Sequence, residues 1–259
     1  RLFQKSVGAT INILYISVIR KATTIIKNPS LEPEVLQVIH LLNKMGAKIT
    51  ILDNDTIEII GVKKLNGAYF NIMSDRIEAG SYMLLAAAVD KSDIKIENVY
   101  VPHLREVIKT IKQLGVHVLE NKNSIEIKKD YPLKGIEKKI SFYPAFPTDL
   151  QQILTVVCTK AITPSIIIDT IYPKRVSHVL EIVKAKGKIE VIHDKIYINS
   201  SSLEATNIYA HDLRCGFACI VIGAIAKGLT TIDNVEVILR GYEDLINKLK
   251  ALGLTIKIV

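Results

Sequence analysis

Apolar residues recur along the chain in two alternating rhythms. In "VIHLLNKMGAKITIL", Val38, Leu41, Leu42 and Met45 fall at helical spacing. Gly46 then stands where a helix C-cap needs positive φ, and β-branched residues alternate with polar ones beyond it. The same order of helix, cap and strand closes "VIKTIKQLGVHVLE" at Gly115, "HVLEIVKAKGKIEVI" at Gly187 and "DLINKLKALGLTIKIV" at Gly253. These glycines recur at intervals of about 70 residues, the signature of an internal repeat. Upstream of each lies a second helical stretch followed by an Ile/Val/Thr run: "GATINILYISVIRK" and "TTIIKN", "AGSYMLLAAAVDK" and "IKIENV", "TDLQQILTVVCTK" and "SIIIDT", "DLRCGFACIVIGAIAKG" and "TTIDNV". A last alternating run, "DTIEII", "NSIEIKK" or "DKIYIN", ends the first three copies, and the fourth stops before it. The pattern predicts an α/β protein built from four helix-strand-helix-strand-strand units. By itself the repeat also fits two duplicated α/β domains of unrelated use.

Composition bounds the class. With 259 residues, 49% of them hydrophobic and 23% charged, the chain suits one large domain or two of ordinary size. The longest apolar stretch, Gly216 to Ala226, is shorter than the roughly 20 residues of a membrane span, and no charged-then-apolar leader precedes the first helix, so a soluble protein is expected. Cys158, Cys215 and Cys219, an odd number among apolar neighbours, favour a reducing compartment, with the cytoplasm as the default. A formal charge of +8 suits anionic partners, but the lysines are scattered and the chain is rich in Ile, so the charge carries little functional weight. Tyr and Phe do not cluster beside basic residues, which argues against a nucleic-acid stacking surface. The chain opens at Arg1 without Met, inside what reads as a motif, and a fragment or processed product is expected.

The common short signatures are silent: there is no phosphate loop, dinucleotide fingerprint, nucleophile elbow, HExxH helix or paired CxxC. The six histidines show no i, i+4 pairing, and no protein metal site is predicted. What remains are four polar turns at the starts of apolar helices, where backbone N–H groups and the helix dipole hold anions. Ser6, Val7 and Gly8 open the first, as an anion-binding turn or as a plain Ser N-cap. In the second, "YPAFPTDLQQ", Asp149 is either a helix cap or a catalytic acid–base group. The third and fourth, "AHDLRCG" and "ILRGYEDL", carry Arg214 behind a capping Asp212 and Arg240 ahead of Gly241. An arginine at such a turn grips phosphate or carboxylate bidentately or is a solvated surface group; Arg175 and Arg76 carry the same pair of readings. Cys215 and Cys219, without a partner His, read as packing residues, and Glu32 and Glu34 beside Pro33 as a favourable first turn.

In order and spacing, "SVGAT" (6–10), "LEPEV" (31–35), "LLNKMGAKI" (41–49), "DRIEAGSY" (75–82), "FPTDLQ" (146–151), "DLR" (212–214) and "RGYEDL" (240–245) resemble the UDP-N-acetylglucosamine 1-carboxyvinyltransferase family, relatives of the shikimate-pathway enolpyruvyl transferase. The resemblance implies an inside-out α/β barrel fold with six copies of the repeat, three to a domain, around an active-site cleft. This chain looks like copies three to six: residues 1–73 as the last unit of an incomplete first domain and 74–259 as a second domain of three units, short of one strand.

The implied reaction transfers the enolpyruvyl group of phosphoenolpyruvate to the 3-hydroxyl of UDP-N-acetylglucosamine, without metal or organic cofactor. On this resemblance Asp149 is the base and a sugar contact, Arg214 and Arg240 clamp phosphoenolpyruvate, and Ser6, Val7, Gly8, Arg175 and Ile171 bind the sugar nucleotide. The family's loop cysteine, its Lys-Asn pair and further arginines belong to a part this sequence does not include, and its "ENRF" turn reads "PKRV" here. Ile238 and Leu239 stand before Arg240 where the family is polar. The expectation is therefore an enzyme fragment whose active form needs the missing N-terminal region, as a companion chain or as residues outside this sequence; the alternative is a non-catalytic remnant that binds nucleotide or a partner protein. Neither nucleic acid nor membrane is an expected partner.

Overall fold

The computed structural model describes residues 1–258, which form two compact units. The first comprises Arg1–Met73 together with Phe142–Pro144. Its elements are α1 (Val7–Ser17), β1 (Thr23–Lys27), α2 (Pro33–Lys44), β2 (Lys48–Asp53) and β3 (Thr56–Ile60). The strands make an antiparallel sheet in the order β1-β3-β2, with Ile57 and Ile59 of the central strand fully buried. Those two isoleucines, one face of an alternating strand, pack with Leu14 of α1 and Val35, Ile39 and Leu42 of α2. Pro33 at the first helical position starts α2, where a missing N–H costs nothing.

The second unit holds the three remaining copies. They run α3 (Arg76–Ala88), β4 (Asp93–Glu97), α4 (Arg105–Gln113), β5 (His117–Glu120), β6 (Ser124–Lys128); then β7 (Glu137–Ile140), α5 (Gln151–Cys158), β8 (Ser165–Asp169), α6 (Ser177–Lys184), β9 (Lys188–Ile192), β10 (Lys195–Asn199); then β11 (Asn207–Tyr209), α7 (Leu213–Ile225), β12 (Thr231–Asp233), α8 (Glu236–Leu239) and α9 (Leu245–Ala251). Helices α3, α5 and α7 pack on one another at the centre, and every residue of α5 is buried. The sheets wrap the outside, each offering one apolar face inward: Ile125 and Ile127 of β6 and Ile196 and Ile198 of β10 are buried, while Glu126, Lys128, Lys195, Tyr197 and Asn199 between and beside them are not. A helix apolar on all sides belongs in such a centre. By its place in the repeat α1 is the counterpart of α3, α5 and α7, yet it buries only Thr10, Leu14 and Ser17 and leaves Tyr15 and Ile16 exposed.

Three details depart from the sequence pattern. The third and fourth copies open with short strands the pattern did not reveal, β7 and β11, each pairing in parallel with the next strand, β8 and β12. Gly46, Gly115 and Gly253 take the positive φ of a C-cap, but in the third copy Lys186 does so at φ 67° and Gly187 does not. Gly187 is there for space, since a Cβ would lie 2.2 Å from Ile182 Cγ2 and 2.9 Å from the Ile182 carbonyl oxygen. Finally, the strand expected after Gly253 is not formed over 254–258. In the three complete copies the last strand is central to its sheet, hydrogen-bonded on both edges (β1-β3-β2, β4-β6-β5, β8-β10-β9). Among the described residues the fourth copy has no such central strand, and residues 254–258 join no ladder.

His178 on α6 is fully buried, and neither ring nitrogen has a hydrogen-bond partner among the described residues. Burial pushes its pKa down to about 3 from an ordinary 6.5, with the Asp212 charge opposing. Below pH 6.5 the unfolded chain takes up a proton that the folded chain refuses, so stability falls with pH across the window between these two values. The slope from this residue reaches about 1.4 kcal/mol per pH unit. Urea unfolding at pH 7 and pH 5 should therefore show a smaller acid loss in His178→Leu than in the parent protein; equal losses would refute this.

Candidate active site

The site is assembled at the helix starts of the second unit. Thr148–Leu150 form a short 3-10 turn leading into α5, and Asp149 caps nothing there. Its carboxylate instead accepts from Arg175 Nη1 at 2.8 Å through Oδ1 and from Arg214 Nη2 at 2.9 Å through Oδ2. Between the two readings of Asp149 in the sequence, cap or chemical group, local geometry therefore excludes the cap.

Each arginine is held by its own turn. Asp169, buried at the end of β8, accepts the Ile171 and Tyr172 N–H groups on Oδ1 and the Thr148 hydroxyl, at 2.7 Å, on Oδ2. That carboxylate ties the Arg175 loop to the Asp149 turn. The Arg175 guanidinium lies over the Tyr172 ring, 4.4 Å from its centroid. Arg214 stands in the first turn of α7, whose N-cap Asp212 accepts from the Arg214 and Cys215 amides at 2.8 and 2.9 Å. Gly241 lies against this turn, where a Cβ would come within 2.6 Å of the Leu213 side chain. The next residue, Tyr242, is 2% exposed and turns its phenol to the Arg214 guanidinium and to Ser81 Oγ, which is 2.9 Å away.

Burial alone would raise the Asp149 pKa, but the Arg214 and Arg175 charges and hydrogen bonds outweigh it and hold the carboxyl below its ordinary range. Burial likewise pulls Arg214 down, and the Asp149 charge and the Tyr242 contact more than restore it. Both groups are ionised at neutral pH. Two arginines against one carboxylate leave a net positive site with guanidinium N–H groups to spare, suited to a small polyanion.

The other residues singled out in the sequence lie elsewhere. Arg240 is the exposed C-cap of α8, its backbone N–H given to the Ile238 carbonyl, and its side chain makes no hydrogen bond or ion pair among the described residues. Ile171 follows β8, its amide already given to Asp169. In the first unit Ser6 Oγ accepts the Ala9 N–H at 3.2 Å, an N-cap, while Val7 and Gly8, the first two residues of α1, have amides with no intrahelical acceptor. Arg76 is buried at the start of α3, and Cys215 and Cys219 are buried, with sulfurs facing the Tyr209 carbonyl. Sequence reasoning did not single out Ser81, Thr148, Asp169 or Tyr242. Three of these stood inside the segments that carry the family resemblance, Ser81 in "DRIEAGSY", Thr148 in "FPTDLQ" and Tyr242 in "RGYEDL", while Asp169 lay outside them.

Comparison with known proteins gives the family. Residues 3–249 match the family described as EPSP synthase (3-phosphoshikimate 1-carboxyvinyltransferase). The chain belongs to this family. Among its relatives, UDP-N-acetylglucosamine 1-carboxyvinyltransferase 2 of Streptococcus pyogenes serotype M1 is 44% identical over 255 residues, 98% of this chain. The UDP-N-acetylglucosamine 1-carboxyvinyltransferase of Streptococcus pneumoniae Hungary19A-6 is also 44% identical over 98% of the chain. The chain spans 61% of the length of these curated relatives. In structure it resembles the enolpyruvyl transferase NikO from Streptomyces tendae, with TM-score 0.89 at 21% identity over 96% of this chain and 60% of that one. EPSP synthase from Acinetobacter baumannii superposes with TM-score 0.77 at 20% identity over 100% of this chain and 62% of its own. The enolpyruvyl transferase fold, with helices inside and sheets outside, is thus the fold that the family resemblance implied.

Proposed function

We propose that this chain is part of an enzyme that transfers the enolpyruvyl group of phosphoenolpyruvate to the 3-hydroxyl of UDP-N-acetylglucosamine, a step of peptidoglycan synthesis in the cytoplasm. The observation that carries the reading is Asp149 held between Arg175 and Arg214, in a chain 44% identical to curated transferases of that name. Free thiols at all three cysteines fit a reducing compartment.

In the addition step the sugar oxygen bonds to C2 of phosphoenolpyruvate, Asp149 takes the hydroxyl proton, and a proton is delivered to C3. Loss of phosphate and of a C3 proton from the tetrahedral adduct restores the double bond. Arg214 and Arg240 grip the phosphate and carboxylate, so that charge shifting in the transition state meets fixed cations. A carboxylate held below its usual pKa is a weak base, and anion binding corrects this. Once phosphoenolpyruvate binds, its negative charge offsets that of Arg214, so Asp149 feels less of the charge that depressed it and its basicity rises. Ser6, Val7, Gly8, Arg175 and Ile171 are assigned to the sugar nucleotide, the open Val7 and Gly8 amides to its diphosphate.

The exposed side of α1, in a protein whose other central helices are covered, supports a companion set of sister repeats, on this or another polypeptide. The chain is accordingly read as binding-competent and dependent on that companion for turnover. Calorimetric titration with UDP-N-acetylglucosamine should give saturable heat with the chain alone and at least about tenfold weaker binding in Asp149→Ala, the loss of one charged hydrogen-bond acceptor. Absence of heat at millimolar ligand would refute the site assignment.

A further inference from the structure

A valence count assigns a role to a residue outside the assigned set. Ser81 Oγ lies 2.8 Å from the Ile77 carbonyl oxygen, one turn back in α3, and 2.9 Å from Tyr242 Oη. A hydroxyl has one hydrogen, and a carbonyl can only accept, so the Ser81 proton goes to Ile77. In the second contact Ser81 is therefore the acceptor and Tyr242 the donor. With its hydrogen fixed on Ser81, the Tyr242 oxygen can present only lone pairs to the Arg214 guanidinium beside it, an acceptor for a group that has only donors.

The arrangement is sealed. Ser81 is fully buried, Tyr242 nearly so, and the Phe217 ring lies 4.5 Å from the tyrosine ring and 5.6 Å from that of Tyr82. Three copies of the repeat meet here: α3 supplies Ser81, the turn before α5 supplies Asp149, and the last copy supplies Arg214 and Tyr242. Arg214 is thus held at one place by a carboxylate and at another by a phenol whose direction is set from the second copy.

We propose that Tyr242 is a positioning residue: oriented by Ser81, it fixes the Arg214 guanidinium in register with Asp149, so that an anionic ligand meets a preset donor fork. The inference rests on reading Arg214 as a clamp on anionic substrate. Tyr242→Phe removes only the hydroxyl: Ser81 stays bonded to Ile77, and the one donor left without its acceptor is the Arg214 guanidinium. Ser81→Ala removes the acceptor that directs the phenol and serves as a second, smaller change.

The test uses the whole chain with two readouts. Nitrogen-detected NMR of the arginine side chains reports rotation of the Arg214 guanidinium, and titration with phosphoenolpyruvate reports the clamp. The expected result for Tyr242→Phe is at least about tenfold faster rotation of the Arg214 guanidinium and about tenfold weaker phosphoenolpyruvate binding, the scale of one hydrogen bond to a charged group. Ser81→Ala should shift both readouts in the same direction, and Tyr242→Phe should add nothing to the loss in Arg214→Ala. Unchanged Arg214 rotation in both folded variants would overturn the proposal, as would equal losses from Tyr242→Phe with and without Arg214. If the parent chain does not bind phosphoenolpyruvate, the substrate reading fails, and the rotation measurement still decides the role of Tyr242.

Discussion

Phe217→Ala is expected to cost about 3–5 kcal/mol of stability, the range for deleting a fully buried aromatic ring. Phe217 sits mid-helix on α7, is fully buried, and contacts Tyr82 edge-on and Tyr242 at a tilt. The cavity cannot close cheaply, because α3, α5 and α7 wedge one another from three sides and their neighbouring residues are already packed. Collapse would also draw Tyr242 away from Arg214, so the variant should lose affinity for phosphoenolpyruvate even where it stays folded. Urea unfolding of the second unit measures the first effect; a loss below 1 kcal/mol would mean that α7 is not the central helix described here.

Asp149→Asn is expected to lower phosphate release by about 10²–10⁴-fold in an assembly that turns over, the usual contribution of a general base. The amide keeps the shape of the carboxylate and cannot take the hydroxyl proton. It also removes the negative charge between Arg175 and Arg214, so binding of phosphoenolpyruvate should hold or strengthen while turnover collapses. A variant that lost affinity and turnover in equal measure would show Asp149 to be a structural partner of the arginines and no base. The sign of the pH effect is also fixed. A carboxyl whose folded pKa is depressed adds stability above its unfolded pKa and loses it as pH falls through the folded value, so the Asp149 contribution to stability is intact at neutral pH and disappears only in acid.

The repeat was legible because it rests on local rules. Helical spacing, a glycine at the helix end and β-branched alternation were enough to place α1 through α6 and the strands of the first three copies other than β7. Strands β7 and β11 escaped because each is short and earns its pairing from a distant strand rather than from its own alternation. The segment 254–258 has the alternation of a strand and lacks a partner, which no local pattern discloses. The site was legible as a set of turns. Asp149 and Arg214 stand at helix starts, where anion chemistry is expected, but that Asp149 serves the arginines and leaves its helix uncapped depends on Arg175 and Arg214 arriving from about 26 and 65 residues away. Ser81 was invisible for the same reason: a serine inside an apolar helix carries no sign that its acceptor lone pair faces a tyrosine 161 positions on.

The central claim, that this chain carries the base and clamp of an enolpyruvyl transfer completed by sister repeats from elsewhere, is tested most directly by phosphate release. The chain would be combined with the part of the Streptococcus pyogenes relative that it does not span, and given phosphoenolpyruvate and UDP-N-acetylglucosamine. The account predicts release by the combination, dependence on both substrates, and loss in Asp149→Asn. A combination that binds both substrates and releases no phosphate would contradict it and leave a binding protein with the fold of a transferase.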